Sequence, residues 1–510
     1  MVLRLIIATL LVLVGPSAVC AQVDDGRQAM VERIDELLAE QWQAAEVEPA
    51  EPVDDAAFLR RAYLDLVGTL PTVSQARRFL ADASPDKRER LVEQLLASPR
   101  HAQHLATVWQ HRMLSRGADA EQMGAVLGVH RWLRRQFARN QRFDNLVADL
   151  LVSTGGGEQG PALFYTALEL KPEELATKTA QLFLGLQIGC AQCHDHPFDH
   201  WTQDDFWGYA AFFARLRSGP AMAGAVQLID ESEGEVRLPD TETIVPPKYP
   251  GTPRSEETLG GSRRRQLAIW TVSQQNPYLA RATVNWAWKH LFGRGLVEPV
   301  DDLSANNPPS HPQLFAELGE YFIECGFDLR ELFRVLMRTQ AYQLSSRTPY
   351  DVAPELFAAM AVKPLTPEQI YDALAWMLDA PPATDESAAV GGLADPRRQQ
   401  FVAQLGSGSQ DAAQFELGVP QALLLMNGEL IAAACDPNRS RLLESLAAPL
   451  FDDDERLEIL YLATLTRLPS EQERDSTRAF IEESDDGNRA AALADVLWAL
   501  LNNGEFLLNH

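Results

Sequence analysis

The chain has 510 residues, 46% of them hydrophobic, and a formal net charge of −26 at pH 7. That length accommodates two or three domains, and so much negative charge excludes nucleic-acid binding, which requires a basic face. Five cysteines, one of them in the leading segment, exclude a scaffold built on disulfides.

In chain order, Arg4 is followed by an apolar run from Leu5 to Val14, then Gly15-Pro16-Ser17 and small residues to Ala21. This is the plan of a secretory signal peptide over 1–21, with Gln22 as the first mature residue. Val19 stands where a lipobox before Cys20 requires Gly, Ala or Ser. No later apolar stretch approaches the roughly 20 residues of a membrane helix, so the mature chain is expected to be exported without a transmembrane span, to the periplasm, cell surface or medium.

The rest predicts a mainly α fold of two helical domains, over 22–217 and 265–510, joined by an irregular linker at 218–264. Residues 87–98 place Leu91, Leu95 and Leu96 at helical spacing, and a further helix is predicted from Arg100 to Arg116. Thr366-Pro367-Glu368-Gln369 supplies an N-cap, a first-turn proline and a capping-box partner. Between Gly219 and Gly261 the composition turns to Gly, Pro and acidic residues, and Val226–Ile229 and Glu235–Leu238 around Glu233-Gly234 predict a small β-hairpin. The two ends echo each other. Tyr63-Leu64, Leu70-Pro71-Thr72 and Phe79-Leu80 have counterparts in Tyr461-Leu462, Leu468-Pro469-Ser470 and Phe480-Ile481, which predicts similar three-helix units at both ends of the mature chain.

The sharpest chemical feature is Cys190-Ala191-Gln192-Cys193-His194, after the apolar stretch Leu182–Leu186. Two thiols three apart can form thioethers with the vinyl groups of one haem c, and His194 then ligates the iron. The preceding apolar helix is expected to cover the porphyrin. A second reading makes Cys190, Cys193, His194, His196 and His200 the ligands of zinc or another transition metal. A third joins Cys190 to Cys193 in a disulfide that steadies a turn. For the distal side of a haem, His104 and His111, which share a helix face with His101, and Met222 in a proline-bearing loop are the candidates.

A second polar cluster runs from Glu298 to Pro312 and contains Asp301, Asp302 and His311 on a proline-stiffened loop. It either builds a site or caps and ends the helices around it. Arg281, Asn285 and Trp288 share a helical face placed to pack against this loop.

These strings resemble known families. Phe58–Leu66, Gly68-Thr69-Leu70-Pro71 and Cys190–Asp199 make residues near 30–215 similar to the second type of planctomycete cytochrome-associated domain. Asn276-Pro277, Leu291–Gly295, Pro309-Ser310-His311-Pro312 and Pro420-Gln421-Ala422-Leu423 make residues near 270–510 similar to the planctomycete secreted domain that usually follows it. Both are domains of unknown function, so the resemblance implies export and a two-domain plan, and its name records a cytochrome-like motif. One departure stands out: relatives tend to carry Trp-Leu-Asp before an arginine, where this chain reads Trp109-Gln110-His111-Arg112.

The expected function is therefore an exported c-type haem protein with an electron-transfer or redox role, served by an exported redox or assembly partner. The alternatives are a metal-binding hydrolase or polysaccharide-related protein using the Cys/His cluster, and a structural module.

Overall fold

A computed structural model describes residues 16–114, 123–155, 160–220, 226–252, 262–273, 276–378, 395–406, 418–484 and 489–510. The fold is mainly α, with three two-stranded antiparallel sheets among the described residues. No described helix is long and apolar enough to cross a membrane.

The organising element is the helix Asp55–Val67. Asp54 caps its start by accepting from the Ala57 amide at 2.8 Å, and Gly68 ends it in the left-handed region at φ 69°. Every side chain from Phe58 to Val67 is buried, including two adjacent arginines. Such burial is tolerable where the guanidinium donors find carbonyls, as those of Arg60 do; Arg61 Nε and Nη2 find no partner among the described residues. Arg60 donates to the oxygens of Thr464 at 3.0 Å and Phe506 at 2.7 Å, while Arg61 donates to that of Leu344 at 3.0 Å. One helix thereby ties the C-terminal end and the middle of the chain to the N-terminal region.

The predicted echo between the ends has local counterparts. The N-terminal unit is Asp55–Val67, Val73–Ala81 and Lys87–Ala97; the C-terminal unit is Asp453–Thr464, Glu471–Glu482 and Arg489–Leu501. Gly68 and Thr466, each two residues before its Leu-Pro turn, both adopt positive φ, at 69° and 65°. The second helix of each unit starts from a capping box, Thr72 with Gln75 and Ser470 with Glu473. The units also touch, through Arg77 and Glu458 at 2.7 Å, and Leu64 and Leu462 each lie in the core formed mainly by the other part of the chain.

The larger core draws residues from both sides of the 218–264 segment, from Met30 to Met360, and the smaller gathers Leu365 to Phe506. The segment therefore does not separate two cores. The first helix, Pro16–Ala44, runs through the expected cleavage point and binds the second half of the chain through Arg27–Glu331 at 2.7 Å and Arg33–Glu317 at 2.8 Å.

The predicted hairpin needs correction. Its strands form, at Leu228–Asp230 and Val236–Arg237, but they pair with Leu216–Ser218 and Ile244–Val245 and not with each other. Small hairpins thus form here, with other strand partners, and Arg263 binds the expected turn through Gly234 O at 3.2 Å and the Glu235 carboxylate at 2.7 Å. The other helices follow the sequence closely: Lys87–Ala97, Pro99–Met113, and Pro367–Leu378 with the Thr366–Gln369 capping pair.

Candidate functional site

The helix Pro172–Thr179 loosens into one π-helical turn, Ala180–Leu184, and stops at Gly185, whose φ is 64°. A side chain there would collide with Leu303, since a Cβ would lie 2.8 Å from its Cδ1. The Gly185 carbonyl accepts from the Leu303 amide at 2.8 Å, so the Cys-x-x-Cys-His segment is fastened to the second polar loop before it begins.

A short 3₁₀ turn, Ile188–Gln192, then presents the motif. Ile188 and Ala191 point into the core, whereas Cys190, Cys193 and His194 are exposed, and both cysteines are free thiols. His194 Nδ1 lies 2.8 Å from the carbonyl oxygen of Asp195. A carbonyl can only accept, so Nδ1 carries a proton, and in the neutral ring Nε2 is the nitrogen that offers a lone pair. After it the loop closes on itself: the His196 amide donates to Trp201 O at 2.8 Å, and the Gln203 amide donates to Asp195 Oδ1 at 2.8 Å. Asp199 accepts from His200 Nδ1 at 2.6 Å. Thr202 caps the next helix, Gln203–Ala210, from which Trp207 reaches back to Gln192 O at 3.0 Å. The motif is thus a rigid, surface-facing turn clamped between two helices.

The expectation that the preceding apolar stretch lies open over a porphyrin is not met. Leu182, Phe183 and Leu184 are 5% exposed or less and sit in the main core, because the π turn aims them inward. The five-ligand metal reading also finds no assembled centre. Among the described residues no three His, Cys, Asp or Glu side chains form a group that could hold a metal ion, and His194, His196 and His200 each hydrogen-bond within their own loop.

Two of the distal candidates have partners of their own. His104 packs on His290, ring centroids 5.7 Å apart, and His111 Nε2 lies 3.5 Å from Glu368. Met222 lies outside the described residues. His101, on the same face, is buried with Nδ1 2.8 Å from Leu66 O, and burial pulls it down to about 4. Burial and the neighbouring His290 hold His104 well below its ordinary range. These are neutral core histidines.

Beside them lies a polar network that sequence reasoning missed. Asp65, 5% exposed, accepts from Lys363 Nζ at 2.6 Å, Tyr342 OH at 2.9 Å and Asn509 Nδ2 at 2.8 Å. His290 Nε2 donates to the Asp65 carbonyl at 2.8 Å. Burial lowers the Lys363 ammonium while Asp65 pulls it back up. The available signal was the interruption of an apolar helix by Arg60, Arg61 and Asp65, charges that only partners from distant segments can satisfy.

The second polar loop proves to be largely self-capping. Asn285 accepts from the Val297 amide at 2.9 Å and donates to Val297 O at 2.8 Å and Val300 O at 3.1 Å, as the shared helical face anticipates. Asn307 donates to Asp302 O at 3.0 Å, and Asp301 accepts from Gln187 at 2.9 Å. His311 is buried against Phe357, its Nδ1 on Ser310 Oγ at 3.1 Å. Asp301 and the backbone of Asp302 thus help to hold the loop, while Nε2 of the buried His311 has no partner among the described residues. The loop nevertheless meets the motif: Asn306 donates to Phe198 O at 2.8 Å, and a cleft of about 400 Å³ opens between them, walled by His200 and Trp201 on one side and Tyr278, Arg281, Ser304 and Phe315 on the other.

Residues 33–218 match the family model PSCyt2, a protein of unknown function (DUF1549), and residues 263–400 match PSD1, a protein of unknown function (DUF1553). No curated protein and no solved structure matches the chain.

Proposed function

We propose that this chain, a PSCyt2 region followed by a PSD1 region, is an exported c-type haem protein that passes electrons to or from an exported partner. The observation that carries the reading is the pairing of His194 Nδ1 with Asp195 O beside two free, exposed thiols. It leaves Nε2 as the ligand atom, which is the tautomer an axial histidine requires. Cys190 and Cys193 would tether the haem and His194 would ligate it; the group itself supplies one-electron chemistry when bound.

The setting favours electron transfer over a sealed catalytic pocket. With Leu182–Leu184 turned into the core, a group tied to this turn stays open to solvent and to a docking partner. The clamps at Gln192, Asp195 and Trp201 hold the turn still, which limits reorganisation.

The test is expression of the full chain, leading segment included, in a host with a haem c maturation system. A haem mass addition that survives denaturation, with a reduced c-type absorption band, is expected, and Cys190→Ala/Cys193→Ala should lose both. An apo mass from a host that matures a control cytochrome overturns the reading.

A further inference from the structure

The cleft between the motif loop and the PSD1 region has a composition that neither region explains alone. Its walls are mainly apolar and include three aromatic rings, Trp201, Tyr278 and Phe315, contributed from both sides. Trp201 and Phe315 are almost fully buried, so their positions are fixed by the core behind them and only a narrow strip of each faces the cleft, beside the more open ring of Tyr278. Set among them is Arg281, exposed and without a hydrogen bond or ion pair among the described residues. The nearby Asp199 is already engaged with His200 at 2.6 Å.

We propose that this cleft is a binding site for a small organic carboxylate with a ring-shaped apolar body, the carboxylate on Arg281 and the ring against Trp201, Tyr278 and Phe315. The volume of about 400 Å³ falls at the small end of the range for small-molecule sites, roughly 300–1,000 Å³. A planar guanidinium pairs with a carboxylate in a two-pronged geometry. Phosphate is disfavoured because one arginine without surrounding amide donors is too little for it, and a polyanion is disfavoured because the acidic surface repels it. Ser304 stands in the same wall to take a ring hydroxyl. The site does not rest on haem attachment: His200 is held on its loop by Asp199, Trp201 by the core, and the other walls by the polar loop and the start of the helix Leu279–Phe292.

The experiment is calorimetric titration of the full chain, at low and high salt, with benzoate, phenylacetate, cyclohexanecarboxylate, the neutral isostere benzamide, and acetate. Benzoate or a related ring acid should bind at least tenfold more tightly than benzamide or acetate, and weaken with salt. Arg281→Gln should weaken it at least tenfold, Arg281→Lys should restore part of it, and Ala316→Phe, which fills the cleft, should abolish it while the melting temperature stays unchanged. The same series on Cys190→Ser/Cys193→Ser protein should give the same affinities, which separates this site from the haem reading. Absence of binding by all three ring acids, equal binding of benzoate and benzamide, or indifference to Arg281→Gln overturns the proposal.

Discussion

His194 and His101 show how one residue type serves opposite ends on one scaffold. His194 stands on an exposed turn with Nδ1 fixed by the next residue's carbonyl, so that Nε2 is available. His101 makes the same kind of bond, Nδ1 to Leu66 O at 2.8 Å, but in the core against Phe333, where its Nε2 has no partner among the described residues. The local hydrogen bond is alike and the surroundings decide the role. Exposure makes the first a ligand candidate, while burial makes the second a neutral packing residue whose protonation the fold resists.

The comparison breaks most visibly at Asp65, the acceptor on which the buried side converges. Asp65→Ala leaves the Lys363 ammonium partly buried without its carboxylate, and strands Tyr342 OH and Asn509 Nδ2 as well. Removing one partner of such a pair costs about 3–5 kcal/mol. A urea melt should therefore shift strongly, with Asp65→Asn intermediate because it keeps an acceptor oxygen. A loss below about 1 kcal/mol would mean that water solvates these charges and that the network does not hold the N-terminal, middle and C-terminal segments together.

Acid should sharpen the contrast next. Burial holds His101 at about 4 and His130 at about 3, against an ordinary 6.5. Below 6.5 the unfolded chain takes up protons on these rings that the folded chain refuses, so stability is complete above that value and falls as pH drops towards 4. His101 alone is worth on the order of 3 kcal/mol across that window. Asp35 acts with the opposite sign, because burial raises it to about 6 and its protonation favours the folded state as pH falls below that. Two buried histidines outweigh it, so the melting temperature should decline from pH 6.5 to 4, and His101→Gln should reduce the slope. A melting temperature flat across that range would show that the histidines are protonated in the fold.

Much of this arrangement is legible in the residues. The helices at 87–97 and 367–378 follow from apolar spacing and capping chemistry, and Gly68 and Thr466 fall at matching helix ends because each precedes the same Leu-Pro turn. Asn285 packs on the 297–300 loop as its helical face predicts. What is not legible depends on partners far along the chain. The strands at 228–230 and 236–237 were visible, but the neighbouring strands decide their pairing. Asp65 meets Lys363 across 298 positions, a separation no periodicity encodes. His104 and His111 share a face that suits an iron ligand equally well until His290 and Glu368 are placed against it.

The smallest expected effect tests the exposed side of the comparison. Cys190 and Cys193 are exposed free thiols, and the turn that bears them is held by hydrogen bonds from the Trp207 indole and the Gln203 and His196 amides and by the buried side chains of Ile188 and Ala191. Replacing both by serine in haem-free protein removes no buried area and strands no partner, so the urea midpoint should move by less than about 0.5 kcal/mol. A cross-link over so short a loop would contribute about 2 kcal/mol by chain entropy, which sets the scale of the opposite outcome. A loss of about 2 kcal/mol or more, abolished by reductant, would instead mean that the thiols join in solution and brace the turn, and the motif would then belong with the buried network as a structural device.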